Sequence, residues 1–254
     1  MRRSPRLSRF INSVFGYTNI GNYARSRVVI DLFRKLPMKD FERVMDLGAG
    51  LGEFTFMLAD EMPSTKFLAV EILPERIERL REISVEFGYR NVEIYPDLIE
   101  TLDLNAAFDF IFAIDVFEHI AEEKMPFKDC YVRLKPGGYL MVKIPNIKQR
   151  TVLPERFFED HNKWLEGAHV GQIYDLEKLT KRFEDEGFTI AHSSASDGIL
   201  SRIAWEVGFL TRKAGPVMQL AFLPMCKGLI LLDRFFFKSA ADGNAIQVIG
   251  RKSV

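Results

Sequence analysis

Short apolar runs alternate with helical patterns along most of the chain. The runs typical of strands lie at 41–46, 66–72, 92–95, 108–114, 139–144, 188–192 and 245–250. Stretches whose apolar residues recur every three or four positions lie at 23–36, 53–62, 74–87, 115–133 and 175–186. Strands that alternate with helices are joined by parallel crossovers. The pattern predicts an α/β protein with a doubly wound, mostly parallel seven-stranded sheet.

Two segments fall outside this alternation. Residues 1–22 combine arginines with apolar residues at a spacing that predicts a basic amphipathic helix, which either lies on an anionic membrane or packs on its own domain. The remainder, 23–254, is predicted to form one domain. Within it, 197–243 is a helical insertion between strands six and seven, and its second half is apolar almost all round.

The insertion leaves three interpretations open. Pro224, Gly228 and three charged residues interrupt its apolar run, so we do not expect one membrane-spanning helix. The insertion either covers the sheet as a lid, or meets lipid, or meets a second subunit. The oligomeric state stays open.

Charge and cysteine content narrow the class of protein. The chain carries 35 basic and 35 acidic side chains, so it offers no general surface for polyanions, and a nucleic-acid partner is disfavoured. Two cysteines, Cys130 and Cys226, are too few for a disulfide framework or a thiolate zinc site. We expect a cytoplasmic protein. Peripheral contact with the inner face of the membrane, through 1–22 or 197–243, is the alternative.

The chemistry centres on the segment Asp46-Leu47-Gly48-Ala49-Gly50-Leu51-Gly52-Glu53. An apolar strand ending in an acid, then three alternating glycines, then a helical pattern, predicts a tight turn that a flat ligand can approach closely. A dinucleotide fingerprint requires glycine where Glu53 stands, and a carboxylate there repels phosphate. NAD and FAD are therefore disfavoured, and a nucleoside without phosphates fits.

The pattern Asp46-x-Gly48-x-Gly50-x-Gly52, followed by an acid at Glu71, resembles the first motifs of class I S-adenosylmethionine-dependent methyltransferases. The resemblance implies a Rossmann-like fold whose seventh strand runs antiparallel beside the sixth, and S-adenosyl-L-methionine as cofactor. It also implies that Glu71 holds both ribose hydroxyls. The implied cofactor-binding residues are Asp46, Gly48, Ala49, Gly50, Gly52, Glu71, Ile72, Asp97, Leu98, Asp115 and Val116.

Within that set, Asp97 and Leu98 have two interpretations. By the resemblance, Asp97 accepts a hydrogen bond from the adenine amino group and Leu98 packs on the ring. The alternative is that Pro96-Asp97 simply forms a turn.

The segment Asp115-Val116-Phe117-Glu118-His119 follows the fourth strand. It resembles the Glu-x-x-Glu-His segment of ubiquinone-biosynthesis O-methyltransferases and small-RNA 2′-O-methyltransferases, in which the acids and histidines can hold a divalent metal. Here His169 would be the fourth ligand. We name His119 and His169 as catalytic candidates and assign no metal site. A base, an acceptor-positioning group and a structural residue all remain open for His119.

A sulfonium cofactor already carries a reactive methyl group, so the protein mainly positions an acceptor. The apolar insertion and the basic first segment favour methyl transfer, at oxygen, to a hydrophobic, lipid-linked or membrane-associated small acceptor. A soluble metabolite is the alternative acceptor. A non-catalytic cofactor-binding subunit is the alternative role. His192, inside strand six, is expected to be structural.

Overall fold

The computed structural model describes residues 17–160, 167, 170, 173–236 and 242–254. Its strands are β1 (Arg43–Leu47), β2 (Lys66–Val70), β3 (Val92–Tyr95), β4 (Phe108–Ile114), β5 (Leu134–Pro145), β6 (Phe188–Ser196) and β7 (Ala245–Lys252). They form one sheet in the order β3-β2-β1-β4-β5-β7-β6. The predicted seven-stranded sheet is confirmed.

The α-helices lie between and beyond these strands. They are α1 (Ile20–Phe33), α2 (Glu53–Glu61), α3 (Pro74–Phe87), α4 (Phe127–Arg133), α5 (Leu176–Asp185), α6 (Ile199–Ala214) and α7 (Pro216–Phe236). Short 3₁₀ turns lie at Met38–Asp40, Ile99–Thr101, Phe117–His119, Glu122–Lys124 and Glu155–Phe157. Pro74 opens α3 and Gly88 closes it with a φ of 71°, as the sequence predicts.

The five neighbouring strands β3, β2, β1, β4 and β5 pair in parallel. Their carboxyl ends therefore lie at one edge, where open α/β sheets bind ligands. The last strand runs the other way: Gln247 near the start of β7 bonds Ser194 near the end of β6, whereas Gly250 lies against Phe188 at the start of β6. The antiparallel direction that the family resemblance implies for β7 is confirmed.

The chain divides into two compact units. The sheet unit comprises 37–145, 168–194 and 246–254. Its core contains fully buried aromatic and aliphatic side chains of the central strands, such as Phe67, Phe110, Ile111 and Phe112. The near-continuous apolar composition of β4 follows from burial of both faces of a parallel sheet.

The helical unit comprises 1–36, 146–167 and 195–245. In it α1, α6 and α7 pack on one another around a buried cluster made of Ile20, Ala24, Ala204, Leu223, Cys226 and Ile230. A Cβ on Gly208 would lie 2.9 Å from Ile20 Cγ1, so glycine there permits α6 to approach α1 closely. The insertion predicted at 197–243 therefore folds as a helical hairpin, while most of 1–22 lies outside the described residues.

Two local predictions are wrong. The helix expected over 115–133 is two 3₁₀ turns followed by α4, because Asp115 takes a positive φ of 53° and Pro126 precedes α4. The turn expected at Leu134–Gly138 is an irregularity inside β5, where pairing with β4 shifts. In the insertion, Pro224 does not end the helix, since α7 continues through it.

Candidate functional site

The three glycines between β1 and α2 all adopt the left-handed conformation, with φ of 75° at Gly48, 60° at Gly50 and 76° at Gly52. Other residue types occupy this region at a cost, which explains the alternating glycines. A Cβ would lie 2.5 Å from Val116 Cγ2 at Gly48 and 2.4 Å from the Phe56 ring at Gly52. These two glycines therefore serve close packing within the protein.

Gly50 differs from its two neighbours because a Cβ built there meets nothing within 4 Å. The turn around it is held from below: the N–H groups of Gly48 and Ala49 both donate to Val70 O, at 2.9 Å each. The backbone of Gly50 is thus presented to open space by a fixed turn. This is the arrangement that a ligand lying against the backbone needs.

Large apolar side chains are exposed around this turn. Leu51 follows β1, Ile72 follows β2 and Leu98 follows β3, with exposed fractions of 59%, 54% and 50%. Because the three strands are parallel, these residues lie at the same edge of the sheet. They provide apolar surface for a flat ring.

Glu71 is buried at the end of β2 and binds backbone N–H groups with both carboxylate oxygens. Its Oε1 accepts from Ile72 N at 2.8 Å and Leu73 N at 3.0 Å, and its Oε2 accepts from Gly50 N at 2.9 Å. Arg76 Nη1 lies 3.6 Å from Oε2. The carboxylate thus joins the glycine turn to the segment after β2.

Asp46 is buried beneath the same turn and accepts a 2.5 Å hydrogen bond from Thr55 Oγ1. Burial first, and then the charges of Glu71 and Glu53, raise the pKa of its carboxyl group to about 7 against the opposing effect of the Thr55 hydrogen bond. Glu71 and Glu53 therefore create a negative potential around Asp46 at the turn. Such a potential favours a cationic ligand and disfavours phosphate.

Asp97 and Leu98 are both exposed beyond β3. Asp97 Oδ1 accepts from Leu98 N, the next residue along the chain, at 2.7 Å. The second carboxylate oxygen is not involved in that bond. The predicted contact with adenine stays a prediction.

Asp115 and Val116 connect β4 to the glycine turn. Asp115 N donates to Lys143 O at 2.8 Å, and Lys143 Nζ donates to Asp115 Oδ1 at 3.0 Å. Lys143 is buried near the end of β5. Sequence reasoning missed this lysine, although a charged residue within the apolar run Leu140–Ile144 was a signal for a buried partner.

Glu118 is buried and His119 is exposed, in the 3₁₀ turn after Val116. Among the residues that the structure describes, no group of three or more His, Cys, Asp or Glu side chains is placed to hold a metal. His169 lies outside the described residues, so its proximity to His119 stays a prediction. His192 Nε2 lies 2.9 Å from Ser194 Oγ within β6, consistent with the structural role expected of it.

A second buried acid, Glu206 of α6, was also missed. Its two carboxylate oxygens accept from Val152 N at 2.6 Å and Leu153 N at 2.9 Å. The acid interrupts the apolar positions of α6, which was the available signal. It fixes the segment that follows β5.

The order of the strands and the left-handed glycine turn at the carboxyl edge define the class of this protein, a class I S-adenosylmethionine-dependent methyltransferase fold. A family model described as a methyltransferase domain matches residues 39–198, more than half of the chain. The chain belongs to this methyltransferase domain family.

Individual relatives are distant. Phosphoethanolamine N-methyltransferase 1 of Triticum aestivum is 25% identical over 199 residues, which cover 76% of this chain and 37% of that protein. Trans-aconitate 2-methyltransferase of Shigella dysenteriae is 25% identical over 160 residues, or 60% of this chain and 61% of that protein. The chain thus matches less than two thirds of the length of either relative.

A solved structure of phosphoethanolamine N-methyltransferase 2 from Haemonchus contortus, in complex with S-adenosyl-L-methionine, superposes with a TM-score of 0.66. The two sequences are 19% identical, and the match covers 96% of this chain and 59% of the other. At this identity the likeness shows the fold alone. It extends over both the sheet and the helical segments of this chain.

Proposed function

We propose that the protein transfers the methyl group of S-adenosyl-L-methionine to an oxygen of a small hydrophobic acceptor that is lipid-linked or otherwise associated with a membrane. The observation that carries methyl transfer is the negative potential of the glycine turn, where burial, and then the charges of Glu71 and Glu53, raise the pKa of Asp46. A sulfonium without phosphates suits that potential, and a dinucleotide does not.

The residues present fit this cofactor. Glu71 would accept from the ribose hydroxyls, and Ile72 and Leu98 would pack on the adenine. A carboxylate offers about four lone pairs, and in Glu71 three of them already accept hydrogen bonds from backbone N–H groups. To accept hydrogen bonds from two ribose hydroxyls, Glu71 must therefore lose at least one of its bonds to a backbone N–H group. We expect the Gly50 bond to be exchanged, because Gly50 faces open space.

When bound, the cofactor supplies a methyl group activated on its sulfur. The chain has to orient the acceptor and accept its proton. His119 is exposed in the turn that follows β4, at the carboxyl edge of the sheet, where it would act as the base for a hydroxyl. The ion pair of Asp115 with Lys143 holds the start of that turn.

A hydrophobic acceptor is supported by the segment after β5, which belongs to the helical unit. It exposes the apolar side chains of Ile147, Val152 and Phe157 by 46%, 45% and 42%. Glu206 fixes its middle. A soluble metabolite is the second candidate acceptor, favoured by the small molecules in the names of the two relatives.

The test is transfer of labelled methyl groups by the full chain to a cell extract separated into organic-soluble and water-soluble fractions. We expect label in an organic-soluble product that is heavier by about 14 mass units, since CH₃ replaces H. Label confined to a water-soluble product would establish the second candidate instead. Binding of S-adenosylhomocysteine without any transfer would identify a non-catalytic subunit.

His119→Ala tests the base. Turnover should fall by about 100-fold or more, while the affinity for S-adenosylhomocysteine stays the same. His192→Ala is the matched control, because His192 lies within β6, away from the carboxyl ends of the parallel strands. Full activity of the His119 variant would remove this residue from the mechanism.

A further inference from the structure

Helix α7 turns its polar side chains toward the other helices of its unit. Asp233 Oδ2 accepts from Gly198 N, and its Oδ1 accepts from Leu200 N, both at 2.9 Å. Arg234 forms an ion pair with Asp31 of α1. The charged residues near the end of α7 are therefore engaged within the protein.

The opposite face of α7 is apolar and exposed. Nine large apolar side chains are at least 37% exposed: Val217, Met218, Leu220, Phe222, Met225, Leu231, Leu232, Phe235 and Phe236. Helices at the surface of soluble proteins show the reverse polarity, with charged residues outside and apolar residues inside. The length and composition of α7 also suit a membrane. Only 22% of the most apolar stretch of this helix is buried.

Exposed basic residues flank this apolar face at both ends. Gln219 at the start of α7 bonds Thr18 O just before α1, and Arg234 at the end of α7 pairs with Asp31 near the end of α1, so the two helices run in the same direction. The exposed pair Arg34-Lys35 therefore lies toward the end of α7. A second exposed pair, Arg212-Lys213, immediately precedes its start.

The charge of the helical unit agrees with this placement. Its described residues carry 12 lysines and arginines against 8 acids, whereas the described residues of the sheet unit carry 17 against 26. Residues 1–16 contribute four further arginines and no acid to the chain. The unit that exposes the apolar helix is thus the basic part of a chain that is neutral overall.

We propose that α7 lies flat in the surface of an anionic lipid bilayer, with its nine exposed apolar side chains among the acyl chains and the two basic pairs at the headgroups. A spanning orientation would place Asp233 and Arg234 in hydrocarbon and break their bonds to α6 and α1. A protein partner normally forms about one hydrogen bond per 100–200 Å² of interface. The nine exposed side chains offer none, which favours lipid.

Vesicle binding tests this proposal without cofactor or acceptor, so the result is independent of the methyl-transfer reaction. The full chain is sedimented with vesicles of phosphatidylcholine alone and with vesicles containing phosphatidylglycerol. We expect binding to the anionic vesicles and at least about tenfold weaker binding to the neutral ones. The triple variant Leu220→Asn/Leu232→Asn/Phe235→Asn should bind anionic vesicles at least about tenfold more weakly than the parent, because three apolar groups are withdrawn from the acyl chains.

Val85→Asn is the matched control, since Val85 is 83% exposed on α3 of the sheet unit and should leave vesicle binding unchanged. Arg212→Gln/Lys213→Gln should reduce binding to anionic vesicles only. A parent that stays in solution with both kinds of vesicle would overturn the proposal, as would a triple variant that binds like the parent. So would a dimer in sedimentation equilibrium that the triple variant abolishes, because a second copy would then cover the face.

Discussion

At the scale of single residues, the site depends on buried carboxylates and on glycines with positive φ. Glu71 is surrounded in the interior by three N–H groups and Arg76. Asp46 is buried, with one hydrogen bond from Thr55 and two acids nearby, so burial first and the acids second disfavour its charged form. The two carboxylates of this turn therefore have different environments.

The pH dependence of folding stability tests the environment of Asp46. The folded pKa, about 7, lies above the usual value of 3.8. The stability linked to this group is therefore fully present below about pH 4 and is lost as pH rises toward 7, by about 1.4 kcal/mol per pH unit. Asp46→Asn should lack this loss, so denaturation should show the parent weakening relative to the variant between pH 4 and 7. Parallel stability curves would contradict the raised pKa.

Gly50 tests whether open space at the turn is the cofactor site. Gly50→Ala places a Cβ at a φ of 60° and should cost about 1 to 2 kcal/mol of folding stability. Gly88→Ala is the matched control, because Gly88 has a φ of 71° and also faces open space, at the far end of α3. Calorimetric titration with S-adenosylhomocysteine should show at least about tenfold weaker binding for the Gly50 variant alone. Equal affinities would place the ligand elsewhere.

At the scale of elements, the side chain of Asp233 on α7 adds hydrogen bonds to the apolar packing that holds the hairpin of α6 and α7 together. Asp233 accepts from two N–H groups in the first turn of α6 and, at 2.8 Å, from Ser201 Oγ. An acid at the start of a helix also interacts favourably with the helix dipole. In the same hairpin Glu206 fixes the segment after β5, so α6 connects the apolar helix to that segment.

Replacement of Asp233 measures how much its hydrogen bonds stabilise the hairpin. In Asp233→Asn an amide NH₂ faces donors that now lack a charged acceptor, and we expect a loss of about 2 kcal/mol in the free energy of unfolding. Asp185→Asn, at an exposed position at the end of α5, should change stability by less than about 0.5 kcal/mol. Urea denaturation compares the two variants. Equal stability would show that apolar packing alone holds α7.

At the scale of the whole molecule, a neutral chain separates into an acidic unit that contains the sheet and a basic unit that contains the apolar helix. The separation suits two tasks with different electrostatic demands. The sheet unit carries the acids around the glycine turn, and the helical unit carries the exposed apolar face of α7 and the basic pairs near its ends. The net charge of zero shows neither the acidic character of the sheet unit nor the basic character of the helical unit.

Thermal denaturation tests the choice of ligand for the whole molecule. S-Adenosylhomocysteine at 100 times its Kd should add about 2.7 kcal/mol and raise the melting temperature by about 5 to 10 °C. NADH at the same concentration should leave it unchanged, because its phosphates would meet the acids around the glycine turn. A shift with NADH alone would overturn the assignment of the cofactor.

Much of the sheet unit was predictable, and the missed residues share one property. Turns such as Gly48–Gly52 and helix ends such as Pro74 and Gly88 are decided by local backbone conformation, which residue type reveals. The pairs of Lys143 with Asp115, Glu206 with Val152 and Asp233 with Gly198 join residues 28, 54 and 35 positions apart. A local pattern marks such a polar residue as unusual but does not name its partner.

The sequence by itself determined the class of fold, the glycine turn and the acid that follows β2, because strand periodicity, crossover handedness and positive φ are properties of the chain. It also marked 197–243 as apolar. Only the tertiary structure decided which side of α7 is exposed. The reason is that Asp233 accepts hydrogen bonds from N–H groups at the start of α6 and Arg234 pairs with Asp31 of α1, and these contacts leave the opposite, apolar face of the helix outward.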